Sequence, residues 1–184
     1  ERPAAMAISP DGATLCVLDS RRVCVVRFNL AKPDDRPLIF GQPGKNNGQF
    51  KEPVALALDG EGRTWVADAG SSQQRISIFD ATGAFLFQFG RYDRGRDADE
   101  LQRPALLAVD AAGATAYVYD SRRYEVMKFT VDQAAKKAAH ATNTGGRGKE
   151  PGQYYAPVAL ACDRQGLLYV LDSSRRDVQA VDVR

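Results

Sequence analysis

Histidine is all but missing from this chain: His140 is the single one in 184 residues. With it goes most chemistry that relies on an imidazole as base, proton shuttle or metal ligand. Cysteine is scarce as well. Cys16, Cys24 and Cys162 form no CxxC pair and no metal-ligand spacing. Charge of one sign is also lacking, since 25 basic side chains face 23 acidic ones for a net +2. Bulk electrostatics therefore recruits neither nucleic acid nor a membrane surface, and any basic character must be local. No apolar run reaches the length of a membrane span, and no signal-like apolar segment stands at the start. GxSxG, P-loop and GxGxxG patterns are absent. The first residue is Glu1 rather than Met, which is the expectation for a processed or partial chain.

What is present is a repeat. Pro3, Pro53, Pro104 and Pro157 stand 50, 51 and 53 residues apart. Each is followed nine residues later by a glycine (Gly12, Gly62, Gly113, Gly166), and at fifteen or sixteen by an aspartate (Asp19, Asp68, Asp120, Asp172). Self-similarity at this period is the signature of a repeat architecture. Each unit opens on a short apolar run ("AMAIS", "VALAL", "LLAVD", "VALAC") suited to a strand covered on both faces. A turn ending in glycine follows, then a strand ending in "CVLD", "WVAD", "YVYD" or "YVLD", a polar turn and a third strand. A fourth strand follows in the first two units ("PLIF", "FLFQF"), more weakly around Ala138 to Thr142 in the third, and not at all in the fourth.

Four antiparallel strands per unit at this spacing predict an all-β chain, a β-propeller with blades at about 1–50, 51–101, 102–154 and 155–184. The last blade is expected to lack its outer strand. One meander cannot cover both of its own faces, and blade-on-blade packing does so. An incomplete or partnered propeller is preferred here over a closed four-bladed ring, and an open edge invites pairing with another chain.

Residues 47–90, "NGQFKEPVALALDGEGRTWVADAGSSQQRISIFDATGAFLFQFG", resemble an NHL repeat from end to end, and the fourth unit repeats the pattern in "GQYYAP", "DRQG" and "YVLDSS". The third unit has "ELQRP" where the second has GQF. The resemblance implies a propeller, commonly of six blades, that serves as an interaction platform. Some members of that family bind RNA, some bind protein, and a few relatives are enzymes. A zinc-dependent lyase of that kind needs several histidines, which His140 alone does not supply. Calcium-dependent hydrolases place Glu, Asn and Asp on the innermost strands, where this chain has Ala5, Ala55, Leu106 and Ala159. The expectation is a non-catalytic chain without metal or cofactor, unless catalytic residues lie outside it.

The aspartates Asp19, Asp68, Asp120 and Asp172 read as structural turn caps. Trp65, Tyr117 and Tyr169, with Cys16 at the same place in the first unit, read as packing between blades. The functional signal lies in the arginines. "DSRR" at 19–22 and 120–123 and "DSSRR" at 172–176 bring Arg21, Arg22, Arg122, Arg123, Arg175 and Arg176 to equivalent turns, with Arg75 in the second unit. Propeller geometry sets these turns beside the connections carrying Lys51, Arg103 and Lys149. Such a ring suits phosphates or the acidic surface of a protein, whereas pairing with the adjacent aspartates would leave it only a solubilising role. A protein partner, or additional propeller blades, is preferred to RNA because no exposed aromatics are interleaved with the cations. Cys16 and Cys24 are expected to face each other across a hairpin as reduced thiols. Residues 133–152, "QAAKKAAHATNTGGRGKEPG", read as a helix-favouring stretch and then a glycine-rich surface connection. The Ala- and Arg-rich composition leans towards a bacterial, extracytoplasmic source.

Overall fold

The computed structural model describes residues 2–71, 73–90, 97 and 99–183. They form fifteen strands and no helix. The first sheet contains β1 (Pro3–Ile8), β2 (Thr14–Asp19), β3 (Cys24–Asn29) and β4 (Leu38–Phe40). The second contains β5 (Pro53–Leu58), β6 (Thr64–Gly70), β7 (Gln73–Phe79) and β8 (Phe85–Phe89). The third contains β9 (Pro104–Val109), β10 (Thr115–Asp120), β11 (Glu125–Asp132) and β12 (Lys137–Gly145). The fourth has three strands, β13 (Pro157–Cys162), β14 (Leu168–Asp172) and β15 (Asp177–Val181). Within every sheet the strands are antiparallel and follow chain order. The described residues form four blades of a β-propeller.

In the second, third and fourth blades the turn between the first two strands is fixed by one carboxylate. Asp59 Oδ1 accepts from the amides of Glu61 and Arg63, and Asp163 Oδ1 from those of Gln165 and Leu167. Asp110 accepts likewise from the amide of Ala114, whereas in the first blade Ser9 holds this place, its Oγ accepting from the amide of Thr14 while Asp11 accepts from that of Ala13. Alternation along the strands then sends one set of side chains forwards to the next blade and the other backwards. Ala55, Trp65, Ile76 and Phe89 of the second blade meet Leu107, Val118, Met127 and Phe129 of the third. Cys16, Leu18, Val25 and Phe40 meet Leu56, Val66 and Phe79 across the first seam. Tyr117, Tyr119 and Val126 meet Leu168 and Val170 across the last. The core is therefore three seams between blades, built by burying apolar area on both faces of the middle sheets.

Each seam is also plugged by the residue three before the opening proline. Phe50, Leu101 and Tyr154 are fully buried. Their room comes from the glycine that ends the preceding blade. Gly41, Gly90 and Gly145 have φ of +80°, +85° and +120°, and a Cβ on any of them would run into the side chain of Phe50, Leu101 or Tyr154 respectively.

The chain is an arc. The first strands pack in order, β1 on β5, β5 on β9 and β9 on β13, with no comparable contact from β13 to β1. The backward face of the first blade and the forward face of the fourth stay uncovered, with Met6 75% and Val178 59% exposed.

Two sequence expectations change. The helix-favouring start of 133–152 forms a turn and no helix, and the weak fourth strand expected around Ala138 to Thr142 is present and longer, as β12 paired along the whole of β11. Pairing thus overrides the local propensity of an Ala- and Lys-rich stretch. Cys16 and Cys24 do not face each other. The β2–β3 register sets Cys16 opposite Arg27 and Cys24 opposite Asp19, since the hairpin is centred between Arg21 and Arg22 rather than on Ser20. All three cysteines are free thiols.

Candidate interaction face and central channel

Asp19, Asp68, Asp120 and Asp172 are buried at one end of their blades. Each carboxylate joins the turn after its own strand to the connection that enters the blade. Asp68 accepts from the amides of Lys51 and Glu52, the latter at 2.7 Å, and Asp120 from those of Gln102 and Arg103 at 2.6 and 2.8 Å. Asp172 accepts from Tyr155 and Ala156 on one side and Ser174 and Arg175 on the other. Asp19 accepts from Arg2, Arg21 and Arg22. The amide of Arg22, then burial opposing it, then the other amides set the balance at Asp19, whose carboxyl lies below its ordinary range. At Asp172 burial pushes upwards but the four amides outweigh it, with the same result. These carboxylates bond chiefly to the main chain, and that of Asp68 also faces Arg75.

The main-chain bonds Ser20 to Arg2, Ala69 to Glu52, Ser121 to Arg103 and Ser173 to Ala156 place all four turns on the same end as the entering connections. The arginines there divide into two sets. Arg75 is 4% exposed and donates to the carbonyls of Lys45 (3.2 Å) and Gln49 (2.7 Å). Arg123 donates to those of Asp97 and Glu100, and Arg175 to those of Lys149 and Glu150. All three clamp the loop that crosses from the previous blade, and Arg123 and Arg175 also pair with Glu125 and Asp177. Arg22 holds the matching place in the first blade and is exposed, with no such carbonyls before it among the described residues. The turn conformation settles this alignment. Val23, Tyr124 and Arg176 all have φ near +60° (57°, 59° and 61°), so Arg175 rather than Arg176 is the partner of Arg22 and Arg123.

The second set is Arg21, Arg22, Arg103, Arg122 and Arg176. All five are exposed, and among the described residues none uses its guanidinium in a hydrogen bond or ion pair, although their backbone amides do bond. Lys51 reaches Ser71 Oγ and its carbonyl. At the fourth blade an aromatic joins them, which sequence reasoning missed. Tyr155, 43% exposed, has Arg147 at 5.6 Å and Lys149 at 5.6 Å from its ring centre. Arg147 also lies over Tyr124 at 5.3 Å. The signal was there in "GRGKEPGQYY", but only the fold brings Tyr124 to it.

The opposite end of the inner strands opens on a cavity of 490 Å³. Pro10, Leu58, Val109, Ala111 and Cys162–Gln165 line it, so all four blades contribute. Its only thiol is a poor nucleophile. Burial pushes Cys162 up to about 11, and its Sγ points to the carbonyl of Val109 at 2.9 Å. Ala5 and Leu106 pack against seams, Ala55 is buried in one, and Ala159 is exposed on the uncovered fourth face. Among the described residues no three His, Cys, Asp or Glu side chains lie close enough to hold a metal ion. His140 is engaged with Asn143 Oδ1 at 2.7 Å. Trp65 is buried with its Nε1 on Asp59 at 2.9 Å, Tyr117 spans the last seam to the Gly166 carbonyl, and Tyr169 stands on the fourth blade's uncovered face. No helix in the described residues is long and apolar enough to cross a membrane.

No protein-family model matches the chain. Protein brain tumor of Drosophila melanogaster is 40% identical to it over 70 residues, covering 38% of this chain and 6% of that protein. The B-box type zinc finger protein ncl-1 of Caenorhabditis elegans is 45% identical over 49 residues, covering 27% of this chain and 6% of that one. The chain thus spans a small fraction of the curated relatives it matches. Among solved structures, a structural-genomics protein of unknown function from Bacteroides thetaiotaomicron superposes with a TM-score of 0.62 at 15% identity, over 96% of this chain and 46% of that one. The WD40 repeats of RRP9 give 0.60 at 15%, over 97% and 50%. A structure of a nidogen/laminin complex gives 0.57 at 17%, over 98% and 76%. The chain is thus a β-propeller by its own geometry and by its structural neighbours, with local sequence similarity to two animal proteins.

Proposed function

We propose that the chain is a non-catalytic, NHL-type propeller segment that acts as a protein-binding scaffold through its arginine-bearing end. The observation that carries this reading is the division of labour at that end. The buried aspartates are saturated by main-chain amides, and Arg75, Arg123 and Arg175 brace the loops. Arg21, Arg22, Arg103, Arg122 and Arg176 are left as outward guanidiniums on a rigid base. Unpaired guanidiniums on a fixed main chain suit carboxylates on a partner, because no existing ion pair has to break and little backbone order remains to be lost on binding. A propeller neighbour seen in a nidogen/laminin complex supports the class.

The second reading is RNA binding at the same end, favoured by Tyr155 between Arg147 and Lys149, a pairing of ring and cations on which a base can stack. Fluorescence anisotropy with poly-glutamate and with a single-stranded RNA homopolymer separates the two. The scaffold reading expects poly-glutamate to bind, and binding to be lost when Arg21, Arg22, Arg122 and Arg176 are reversed to Glu. Tighter RNA binding that falls steeply with salt and is lost in Tyr155→Ala overturns it in favour of the second.

A further inference from the structure

The loop from the first blade to the second and the loop from the third to the fourth share one frame. In each, a parallel bridge closes the loop beside the buried plug, Pro43 with Phe50 and Arg147 with Tyr154. The amides of Gly44 and Gly148 donate to the carbonyls of Phe50 and Tyr154 at 2.9 and 3.1 Å. Gln49 and Gln153 accept at Oε1 from the amides of Asn46 and Glu150. Arg75 and Arg175 brace the two loops from the following blade. Three places on this frame differ. Where the first loop has Val23 before it, Pro43 within it and Lys51 after it, the other has Tyr124, Arg147 and Tyr155. The frame holds without rings or guanidinium in the first case, so the loop conformation does not call for them in the second.

What the three residues build is a held guanidinium. Tyr124 reaches it through its left-handed backbone (φ 59°) and through its carbonyl, which accepts from the amide of Gly146 at 2.8 Å. Tyr155 reaches it through the bridge at Tyr154 and its own amide on Asp172. Arg147 lies over both rings, and Lys149 stands over that of Tyr155. A ring contact uses the flat face of a guanidinium and leaves the N–H donors in its plane. Among the described residues those of Arg147 make no hydrogen bond or ion pair, and Glu150 is the one acid of this loop against two cations.

We propose that Arg147, held by Tyr124 and Tyr155 with Lys149 beside it, is the anchor of the arginine-bearing end for a carboxylate-bearing segment of a protein partner. One carboxylate takes parallel N–H donors of the Arg147 fork, and Lys149 supplies a point charge to a second acid. The rings restrain Arg147, so it loses less side-chain freedom on binding than Arg21, Arg22, Arg122 and Arg176, over which no ring lies among the described residues. Those four add attraction, and the restrained arginine with its tyrosines carries the larger share of affinity, as such residues do at interface centres. This anchor rests on the scaffold reading given under Proposed function.

Fluorescence anisotropy with labelled poly-glutamate tests it on Arg147→Ala, Arg147→Lys, Tyr155→Leu and Arg122→Ala, with a melting curve to verify that each variant folds. Arg147→Ala is expected to weaken binding at least about tenfold, and Arg122→Ala, which removes the same charge at the same end, less than about threefold. Arg147→Lys keeps the charge without the planar fork and is expected to weaken binding about fivefold. Tyr155→Leu keeps both cations and an apolar side chain, and is expected to weaken it about threefold. Wild-type affinity in both Arg147→Lys and Tyr155→Leu would reduce Arg147 to a bare charge and overturn the anchor. So would equal losses in Arg147→Ala and Arg122→Ala, with the scaffold reading left standing. A wild type that does not bind poly-glutamate overturns the scaffold reading and the anchor with it. Arg147→Ala that loses a single-stranded RNA homopolymer but keeps poly-glutamate assigns the held guanidinium to RNA and overturns the anchor too.

Discussion

The guanidinium of Arg75 lies with its Nε 3.5 Å from a carboxylate oxygen of Asp68, both side chains being buried. That separation is an ion pair rather than a hydrogen bond, because the carboxylate already serves Lys51, Glu52 and Gly70 amides and the guanidinium serves the carbonyls of Lys45 and Gln49. Two charges thus tie strand, turn and entering loop together in the second blade.

Removing the carboxylate leaves buried amides and a buried cation without their acceptor. Asp68→Ala is expected to destabilise by about 3–5 kcal/mol, the cost of breaking a buried charge pair by deleting one partner. Urea denaturation of the variant reads this as a lower midpoint. An unchanged midpoint contradicts the bonding scheme.

A braced and an unbraced arginine at the same end of the blades provide an internal control. Arg75→Ala strips the donors from Lys45 and Gln49 and is expected to destabilise by about 2–3 kcal/mol. Arg22→Ala, which removes an exposed guanidinium with no hydrogen bond or ion pair among the described residues, is expected to change stability by less than about 0.5 kcal/mol. Equal melting shifts for the two variants would mean that the loop contacts of Arg75 contribute nothing.

Gly41 tests the seam plug. At φ +80° a side chain is strained, and a methyl there meets the ring of Phe50. Gly41→Ala is expected to cost about 1–3 kcal/mol from overpacking alone, measured by thermal melting. Gly12, with similar φ (+75°) but open space around its Cβ, separates strain from contact, so Gly12→Ala should cost less.

The blades were legible because their signals are local and repeated: a proline, a glycine with left-handed backbone, and an aspartate that caps a turn. Alternation of apolar residues on both sides of the inner strands likewise pointed to blade-on-blade packing. What escaped was register and partnership. Two arginines in a row gave no means of deciding which one aligns, and only the left-handed residue after the turn does so, at Val23, Tyr124 and Arg176. The strand β12 was legible only weakly, around Ala138 to Thr142, because Ala and Lys favour a helix until β11 offers an edge. Which arginines remain free was not legible either, because Arg75, Arg123 and Arg175 are consumed by carbonyls of loops some 25 residues away in sequence, which carry no side-chain signature.

Thiol reactivity follows from the seams. Cys16 is fully buried and burial pushes its thiol up, with Thr64 and Arg27 opposing more weakly. Cys162 is pushed up to about 11 by burial, with nearby Asp110 adding to it. In the folded protein both should react with a thiol reagent at pH 8 at least about tenfold more slowly than in urea, where thiols ionise near pH 8.5. Rapid labelling of Cys162 in the native state would mean that the thiol ionises readily where it lines the cavity, against the effect of its burial.

Acid should act through Asp172. Four amides hold its carboxyl below the ordinary range despite burial. A carboxyl lowered in the folded state contributes stability that is fully present above the unfolded value of about 4 and is lost as pH falls through the lower folded value. Asp172→Asn replaces the carboxylate with one neutral carbonyl acceptor and so removes that contribution at every pH. The stability gap between wild type and Asp172→Asn, from urea titrations at a series of pH values, is therefore expected to be flat from neutrality to about pH 5 and to shrink below about pH 4. Asp19, lowered for the same reason, remains in the variant and leaves it some acid sensitivity of its own. A gap that stays constant to pH 2 would show that the amides of Tyr155, Ala156, Ser174 and Arg175 do not favour the charged form.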